Sequence, residues 1–311
     1  AIVGEECWAA GEPRGAQYMN VNWIGPAIQR FGTEAQKLEH LPRISRGDVL
    51  WCQGFSEPNA GSDLAALSTR AERDGDDYVV NGQKVWTTLA HISDWYFVLV
   101  RTSTEGPKWA GLTLLLMDLK SSGVSIKPIK QIDGGSEFNE VFMTDVRVPV
   151  SNRLGQEGQG WEIVSSALVN ERSGIAGGIR ADHALEWVIS TARERKKEQD
   201  PEVRQKIADL AIKGSIMRCA GLRAMTDSLH KRMNPHLSAA MKLMGTLLVQ
   251  EFSETGIALL GPYATLMNDE HAPSGGRWAK QYLGDRSMTI AGGTSEVQRN
   301  IVAQRVLGLP R

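Results

Sequence analysis

Trp51-Cys52-Gln53-Gly54-Phe55-Ser56-Glu57-Pro58-Asn59-Ala60-Gly61-Ser62-Asp63 begins as a strand and ends as a loop. The apolar run that starts at Val49 gives out before Glu57. Pro58 then pre-sets a turn, while Asn59 and Gly61 tolerate backbone angles that other residues avoid. Ser56 and Ser62 flank that turn with hydroxyls. Such a loop either simply reverses the chain or cradles a flat ligand with its backbone amides.

Further strands follow at regular spacing. Tyr78-Val79-Val80 runs into Asn81-Gly82, a hairpin-type signal, and then into Lys84-Val85-Trp86-Thr87-Thr88. Trp95–Val100, Leu112–Met117, Val124–Pro128 and Val141–Val148 continue the series. Residues 47–150 therefore read as a β domain, a sandwich or a barrel. Outside it the periodicity changes. Residues 1–46 are helical in patches, over Trp23–Arg30 and Thr33–His40. Beyond about 158 the pattern is helical throughout. Trp161, Val164, Leu168, Ile175 and Ile179 recur at helical spacing, and long amphipathic segments cover 203–231, 237–260 and 276–290. Asp200-Pro201 restarts a helix and Gly261-Pro262 breaks one. The expected layout is α+β and multidomain: a helical segment (1–46), a β domain (47–150) and a helical region (151–311).

Composition narrows the function classes. A length of 311 residues with 41% apolar side chains allows a large core, and a net charge of −1 favours neither nucleic acid nor an anionic membrane. Leu112–Met117 and the other apolar runs are too short to span a bilayer. Cys7, Cys52 and Cys219 stand far apart, which argues for a reducing compartment and against a structural metal; each reads as a buried small hydrophobe. The chain opens at Ala1 without Met, so a segment preceding it is expected, and the lack of a targeting signal carries no weight.

Near the end stands Thr289-Ile290-Ala291-Gly292-Gly293-Thr294-Ser295-Glu296-Val297-Gln298-Arg299-Asn300. Two glycines permit a sharp turn, and Thr294 or Ser295 caps the helix that follows. Ser295 with Gln298 has capping-box spacing. The turn is either a plain cap or an anion site.

Phe55–Asp63, Asn81–Thr88 and Ala291–Asn300 together resemble the flavin-dependent acyl-CoA dehydrogenases, in that family's order and near its spacing. Ile24-Gly25-Pro26 and Phe31–Lys37 extend the resemblance over essentially the whole chain. What it implies is an N-terminal helical segment lacking the family's first helices, a middle β-barrel-like domain and a C-terminal four-helix bundle. FAD would lie between the last two, usually in a tetramer. By position, the Phe55 backbone and the Ser56 side chain would meet the flavin ring. Trp86 would pack beside it, with Thr87 and Thr88 in the cofactor set and Thr88 bonding near N5. Ser62 would lie by cofactor and acyl-CoA. Arg195 matches the arginine that reaches a neighbouring subunit's FAD, and Thr294 and Glu296 match contacts to its phosphates and ribose. An ionised glutamate at 296 cannot donate, so it suits ribose or amide.

The reaction implied is α,β-dehydrogenation of an acyl-CoA thioester to the trans-2-enoyl-CoA, with electrons passed to an electron-transfer flavoprotein-type acceptor. Many members carry the base directly before the Gly-Thr of the last motif; here that residue is Gly292. A branch including the isovaleryl-CoA dehydrogenases places it instead on the first bundle helix, in Glu-Arg followed by Ala-Gly. Glu171-Arg172 and Ala176-Gly177 match that pattern, which makes Glu171 the expected base. Arg172 orients it toward substrate or bridges helices. Among other carboxylates, Glu57 reads as structural, Asp63 as a cap and Glu162 as dipole-stabilised at a helix start. The amides of Gly292 and Gly293 are expected at the thioester oxygen.

Two stretches depart from the family. Glu198-Gln199-Asp200-Pro201 replaces Phe-Gly after Arg195, and Ala258–Tyr263 replaces a glycine-rich run near FAD. A mixed tetramer with a second dehydrogenase-like chain would account for both; a homotetramer, an FAD-poor structural subunit and an acyl-CoA oxidase are the alternatives. Gly174, Ala176, Gly177 and Gly178 either make room for a branched or sterol-like acyl group or serve tight helix packing. The expected location is the cytoplasm, or the mitochondrial matrix in a eukaryote.

Overall fold

The computed structural model describes Glu6, Ala10, residues 15–175, 179–230, Arg232 and 237–310; for 169–175, 179, 180 and 228 it describes the backbone alone. The chain divides into two compact units that part, in sequence, between Glu171 and Arg172.

The N-terminal unit opens with α1 (Gln17–Met19), a π-helical turn (Asn20–Ile24), α2 (Gly25–Phe31) and α3 (Glu34–Arg46). Thr33 and Gln36 start α3 with a reciprocal capping box. The Gln36 amide nitrogen then reaches the carbonyls of Ser151 and Arg153, at 2.8 and 3.0 Å. Buried Asn20 fastens these helices to the sheet by donating to the Val49 carbonyl and accepting from the Trp51 amide.

The strands are β1 (Trp51–Gly54), β2 (Arg70–Asp74), β3 (Asp77–Thr88), β4 (Trp95–Arg101), β5 (Leu112–Asp118), β6 (Val124–Pro128), β7 (Phe138–Pro149) and β8 (Arg153–Leu154). They form one sheet in the order β6-β7-β3-β2-β4-β5-β8, with β1 joined in parallel to β4. Strand alternation supplies two cores from a single sheet. Tyr96, Val98 and Val100 of β4 point inward with Tyr78, Val80, Met117, Val141 and Val146, and the sheet curls around them. Phe97 and Leu99 point outward to Trp51, Leu114 and Leu116. That outer face is covered by Trp23, Ile24 and Ile28 from the N-terminal helices and by Ile163, Val164 and Ala167 at the start of α4 (Gly160–Ile175). Burial on both faces is why β4 and β5 read as unbroken apolar runs.

The C-terminal unit is helical: α5 (Ile179–Glu194), α6 (Pro201–Leu229), α7 (Leu237–Leu260), α8 (Arg277–Gly284) and α9 (Ser295–Ile301). Asp200 caps α6 by accepting from the Glu202 amide at 2.9 Å. Val188, Leu210, Met217, Leu248, Phe252, Leu259 and Trp278 form the core of α5–α8.

Several expectations change. Asn81-Gly82 is not a turn but lies within β3, at a register shift against β7. Asn81 spends its side chain on Asp145, donating to its carboxylate and accepting from its amide. The hairpin turn lies earlier, between Asp74 of β2 and Asp77 of β3. The helix expected over 276–290 stops at Gly284 and passes into a 3-10 turn, Asp285–Thr289. Cys52 is buried as expected, its thiol pushed up to about 12 by desolvation, whereas Cys219 is exposed on α6; Cys7 lies outside the described residues. No described helix is long and apolar enough to cross a membrane.

Candidate functional site

The loop after β1 is held from below by an ion pair inside the protein. Lys84 Nζ lies 2.9 Å from Glu57 Oε1 and donates to the Phe55 carbonyl at 3.1 Å. Glu57 also accepts from the Thr69 amide at 2.8 Å and from the amide and hydroxyl of Ser68. Burial alone would raise the Glu57 carboxyl, but Lys84 and these donors overcome it and hold the group at about 2. Glu57 is thus the structural carboxylate the sequence suggested. Asp63 differs from expectation: its carboxylate caps nothing and instead pairs with Lys108.

The same contacts bring the first two motifs together. The Val85 amide donates to the Ser56 carbonyl at 2.9 Å, so Phe55-Ser56 runs beside Lys84–Trp86. Phe55 is buried and Ser56 half-buried, while Ser62 lies on the exposed rim of the loop. Trp86 is 58% exposed and has φ +61°, a conformation that strains any side chain with a Cβ. It sits at a register shift of β3 against β7 and meets the Phe138 ring edge to face, centroids 6.1 Å apart. The strand alternates around it. Thr87 turns into the inner core, its hydroxyl 2.9 Å from that of Tyr96, and Thr88 lies half-buried beside Trp86. The Thr87 side chain is therefore committed to Tyr96, which leaves Trp86 and Thr88 as the outward members of the expected set.

In the C-terminal unit, Gly292 and Gly293 form the sharp turn that their sequence suggests, with φ +64° and +93°. Thr294 caps α9 by accepting from the Val297 amide at 3.2 Å. Ser295 does not cap; its hydroxyl is buried without a hydrogen-bond partner. Nor does Gln298 close a capping box, because its amide nitrogen donates to the Gly292 and Gly293 carbonyls at 3.0 and 3.1 Å. Lys242 of α7, fully buried, adds a third bond to this turn, to the Gly293 carbonyl at 2.8 Å. Glu296 is exposed; its own backbone N–H, Thr294 and Arg299 hold its carboxyl below the usual range. Arg195 lies 5.0 Å over the Tyr263 ring, so the arginine kept from the family rests on a residue of the stretch that departs from it.

Glu171, Arg172 and Gly174 fall on the backbone of α4, and the side chains of Glu171 and Arg172 lie outside the described residues; Ala176, Gly177 and Gly178 lie outside altogether. Sequence reasoning missed Lys242. Its signal is a single charge within the otherwise apolar Ala239-Ala240-Met241-Lys242-Leu243-Met244. Lys84 was quoted within its motif but given no role, because its partner lies on another element.

Known proteins share the family and the fold. The model of the acyl-CoA dehydrogenase middle domain matches residues 52–146, and that of the acyl-CoA dehydrogenase C-terminal domain matches 158–307. The acyl-CoA dehydrogenase IpdE1 of Mycobacterium tuberculosis is 39% identical over 99% of this chain and 79% of its own length. Among solved structures, the Tcur3481-Tcur3483 steroid ACAD superposes with a TM-score of 0.92 at 32% identity, over 100% of this chain and 80% of that one. The ChsE4-ChsE5 complex from Mycobacterium tuberculosis superposes at 0.88 with 34% identity, over 100% and 81%. This chain belongs to the acyl-CoA dehydrogenase family of oxidoreductases.

Proposed function

We propose that this chain is an FAD-dependent dehydrogenase that converts an acyl-CoA thioester to its trans-2-enoyl-CoA, with Glu171 as the base. The observation that carries the reading is the Ser56–Val85 main-chain bond, which pairs half-buried Ser56 with the residue next to an exposed, strained tryptophan. A flavin ring asks for this combination of a flat apolar contact and a few hydrogen-bonding groups, so the residues present fit it. Phe55, Ser56, Trp86 and Thr88 of the N-terminal unit would hold the ring, with Ser62 beside the acyl-CoA. Within the C-terminal unit, Thr294, Glu296 and Arg195 would bind other parts of FAD. Bound FAD supplies the acceptor for the hydride that leaves the β carbon.

The chain's own part is proton chemistry and orientation. The Glu171 carboxylate would take the proton from the α carbon, Arg172 would orient it, and the Gly292 and Gly293 amides would stabilise charge on the thioester oxygen. Gly292 supports this division of labour, because no carboxylate stands at the turn and the base has to come from elsewhere. The substrate class put forward is a bulky acyl-CoA, by analogy with the steroid ACAD. The assembly put forward joins this chain to a second dehydrogenase-like chain, as in the two-chain neighbours, and passes electrons to an electron-transfer flavoprotein.

The test is Glu171→Gln in FAD-loaded protein, mixed anaerobically with a panel of acyl-CoAs. Flavin bleaching should slow by about 10²–10⁴-fold, the usual contribution of a general base. Bleaching at the wild-type rate would remove Glu171 from the role.

A further inference from the structure

Trp86 and Leu89 bracket the two threonines of the site, and both hold a positive φ, +61° and +58°. A side chain with a Cβ keeps that conformation only where its surroundings impose it. Burial of Trp86 cannot be what imposes it, because the ring is 58% exposed. The restraint comes from β7. Phe138 meets the Trp86 ring edge to face, and the next residue, Asn139, is fully buried opposite Thr87.

Asn139 spends its whole side chain there. Its Nδ2 donates one hydrogen to the Thr87 carbonyl at 3.0 Å and the other to the Glu137 carbonyl at 2.9 Å. Two carbonyls can accept only from the NH2 group, which fixes the amide orientation and leaves Oδ1 as an acceptor. The His91 Nδ1 that lies 3.1 Å from Oδ1 therefore carries a proton. His91 belongs to the 3-10 turn Ala90–Ile92, directly after Leu89. The Leu89 amide joins this clasp by donating to the Glu137 carbonyl at 2.7 Å, and the Ser93 hydroxyl holds the Leu89 carbonyl at 2.8 Å. The Thr87 carbonyl and the Thr88 N–H share one trans peptide and point in opposite directions. Drawing that carbonyl to Asn139 aims the Thr88 N–H away from β7. It faces the other edge of β3, which β2 covers only over Asp77–Asn81.

We propose that Asn139 is a positioning residue: by pinning the Thr87 and Glu137 carbonyls it holds Trp86 and Leu89 in their left-handed conformations, so that Thr88 and the Trp86 ring meet the flavin in fixed places. This rests on the dehydrogenase reading above. Asn139 is itself buried and acts through Thr87, and His91 completes the clasp as the donor to its oxygen. Groups fixed in advance bind a rigid ring without first having to be ordered.

The experiment is a double-mutant cycle in the full-length assembly, read by FAD dissociation constant and flavin midpoint potential. Its corners are wild type, Thr88→Val, Asn139→Leu and the double variant. Thr88→Val alone should weaken FAD binding about five- to tenfold, the worth of one hydrogen bond. Asn139→Leu alone should weaken it by a similar factor and move the midpoint potential in the same direction. In the Asn139→Leu background, Thr88→Val should cost less than about twofold and move the potential no further, because a threonine already released has little left to lose. A residue that merely holds β7 to β3 would lower the melting midpoint and leave the Thr88→Val cost whole; that result overturns the proposal. If Asn139→Leu does not fold, His91→Phe takes its place in the cycle, since it strips the donor from Oδ1 at an exposed position. Unfolding of both, or a cycle with no coupling, assigns the clasp to the fold alone and overturns it. Glu171→Gln separates the two ideas, since it should abolish flavin bleaching by acyl-CoA while keeping FAD affinity and the coupling. A wild type that shows the coupling yet bleaches with no acyl-CoA overturns the dehydrogenase reading and leaves the clasp standing. A wild type that binds no FAD overturns both.

Discussion

Glu57 ionises inside the protein because everything around it is a donor. Lys84, Thr69 and Ser68 overcome the effect of burial and bring its carboxyl to about 2, against 4.5 for the free group. Lys84 is pulled the other way, down to about 8, by burial opposed by Glu57. Between about 4.5 and 2 the unfolded chain binds a proton that the folded chain refuses. The Glu57 contribution is therefore complete above 4.5 and lost as pH falls through about 2. Urea midpoints of the full chain should fall across that window. Glu57→Gln should remove this component of the slope. At neutral pH it should cost about 3–5 kcal/mol, because the Lys84 ammonium is left buried without its counter-ion. A variant with wild-type stability at pH 7 would show that the pair contributes nothing. The sequence marked Glu57 as structural from the turn proline beside it. It could not name Lys84, because the two meet only when β1 and β3 lie side by side.

At the scale of elements, α7 and α8 touch through a glycine. A Cβ at Gly256 would run into the Trp278 ring, which is itself fixed by a bond from its Nε1 to the Thr191 hydroxyl of α5 at 2.9 Å. Three helices thus share one contact that has no slack. Gly256→Ala should destabilise the chain by about 1–3 kcal/mol despite the higher helix propensity of alanine, because the extra methyl has to displace a pinned indole. Differential scanning calorimetry checks it, and a raised melting midpoint would mean that propensity outweighs the contact. Helix extents were largely legible: 237–260 and the start at Pro201 follow from caps, breakers and period. Strand pairing was less so. β2 escaped notice because only Ala71 of Arg70–Asp74 is buried, which leaves almost no apolar alternation to read. Asn81-Gly82 misled because a dipeptide that favours a tight turn is equally able to fill a strand irregularity when Asp145 satisfies the asparagine.

For the whole molecule the informative feature is what α6 leaves uncovered. Ile212, Ile216, Leu222, Met225 and Leu229 are exposed; Ile212 and Ile216, four apart, share one face of α6, and Leu222, Met225 and Leu229, three and four apart, share another, about 120° round the helix. Grouped exposed apolar side chains of this kind mark an interface more often than singly scattered ones do. The second dehydrogenase-like chain proposed above is the occupant we assign to it. Two readings of the departing stretches converge on the same partner: Arg195 rests on Tyr263 of its own unit, and the glycine-rich run is absent. Purified by itself, the chain should hold little FAD or aggregate. Co-expression with its partner should restore FAD and yield a discrete mixed assembly by light scattering. Ile216→Lys combined with Leu222→Lys should break that assembly while leaving the helical circular dichroism of the chain in place, since both side chains already face outward. A stable homotetramer fully loaded with FAD in isolation would count against the mixed assembly. If the double variant still joined its partner as tightly as wild type, the interface would have to lie on some face other than α6.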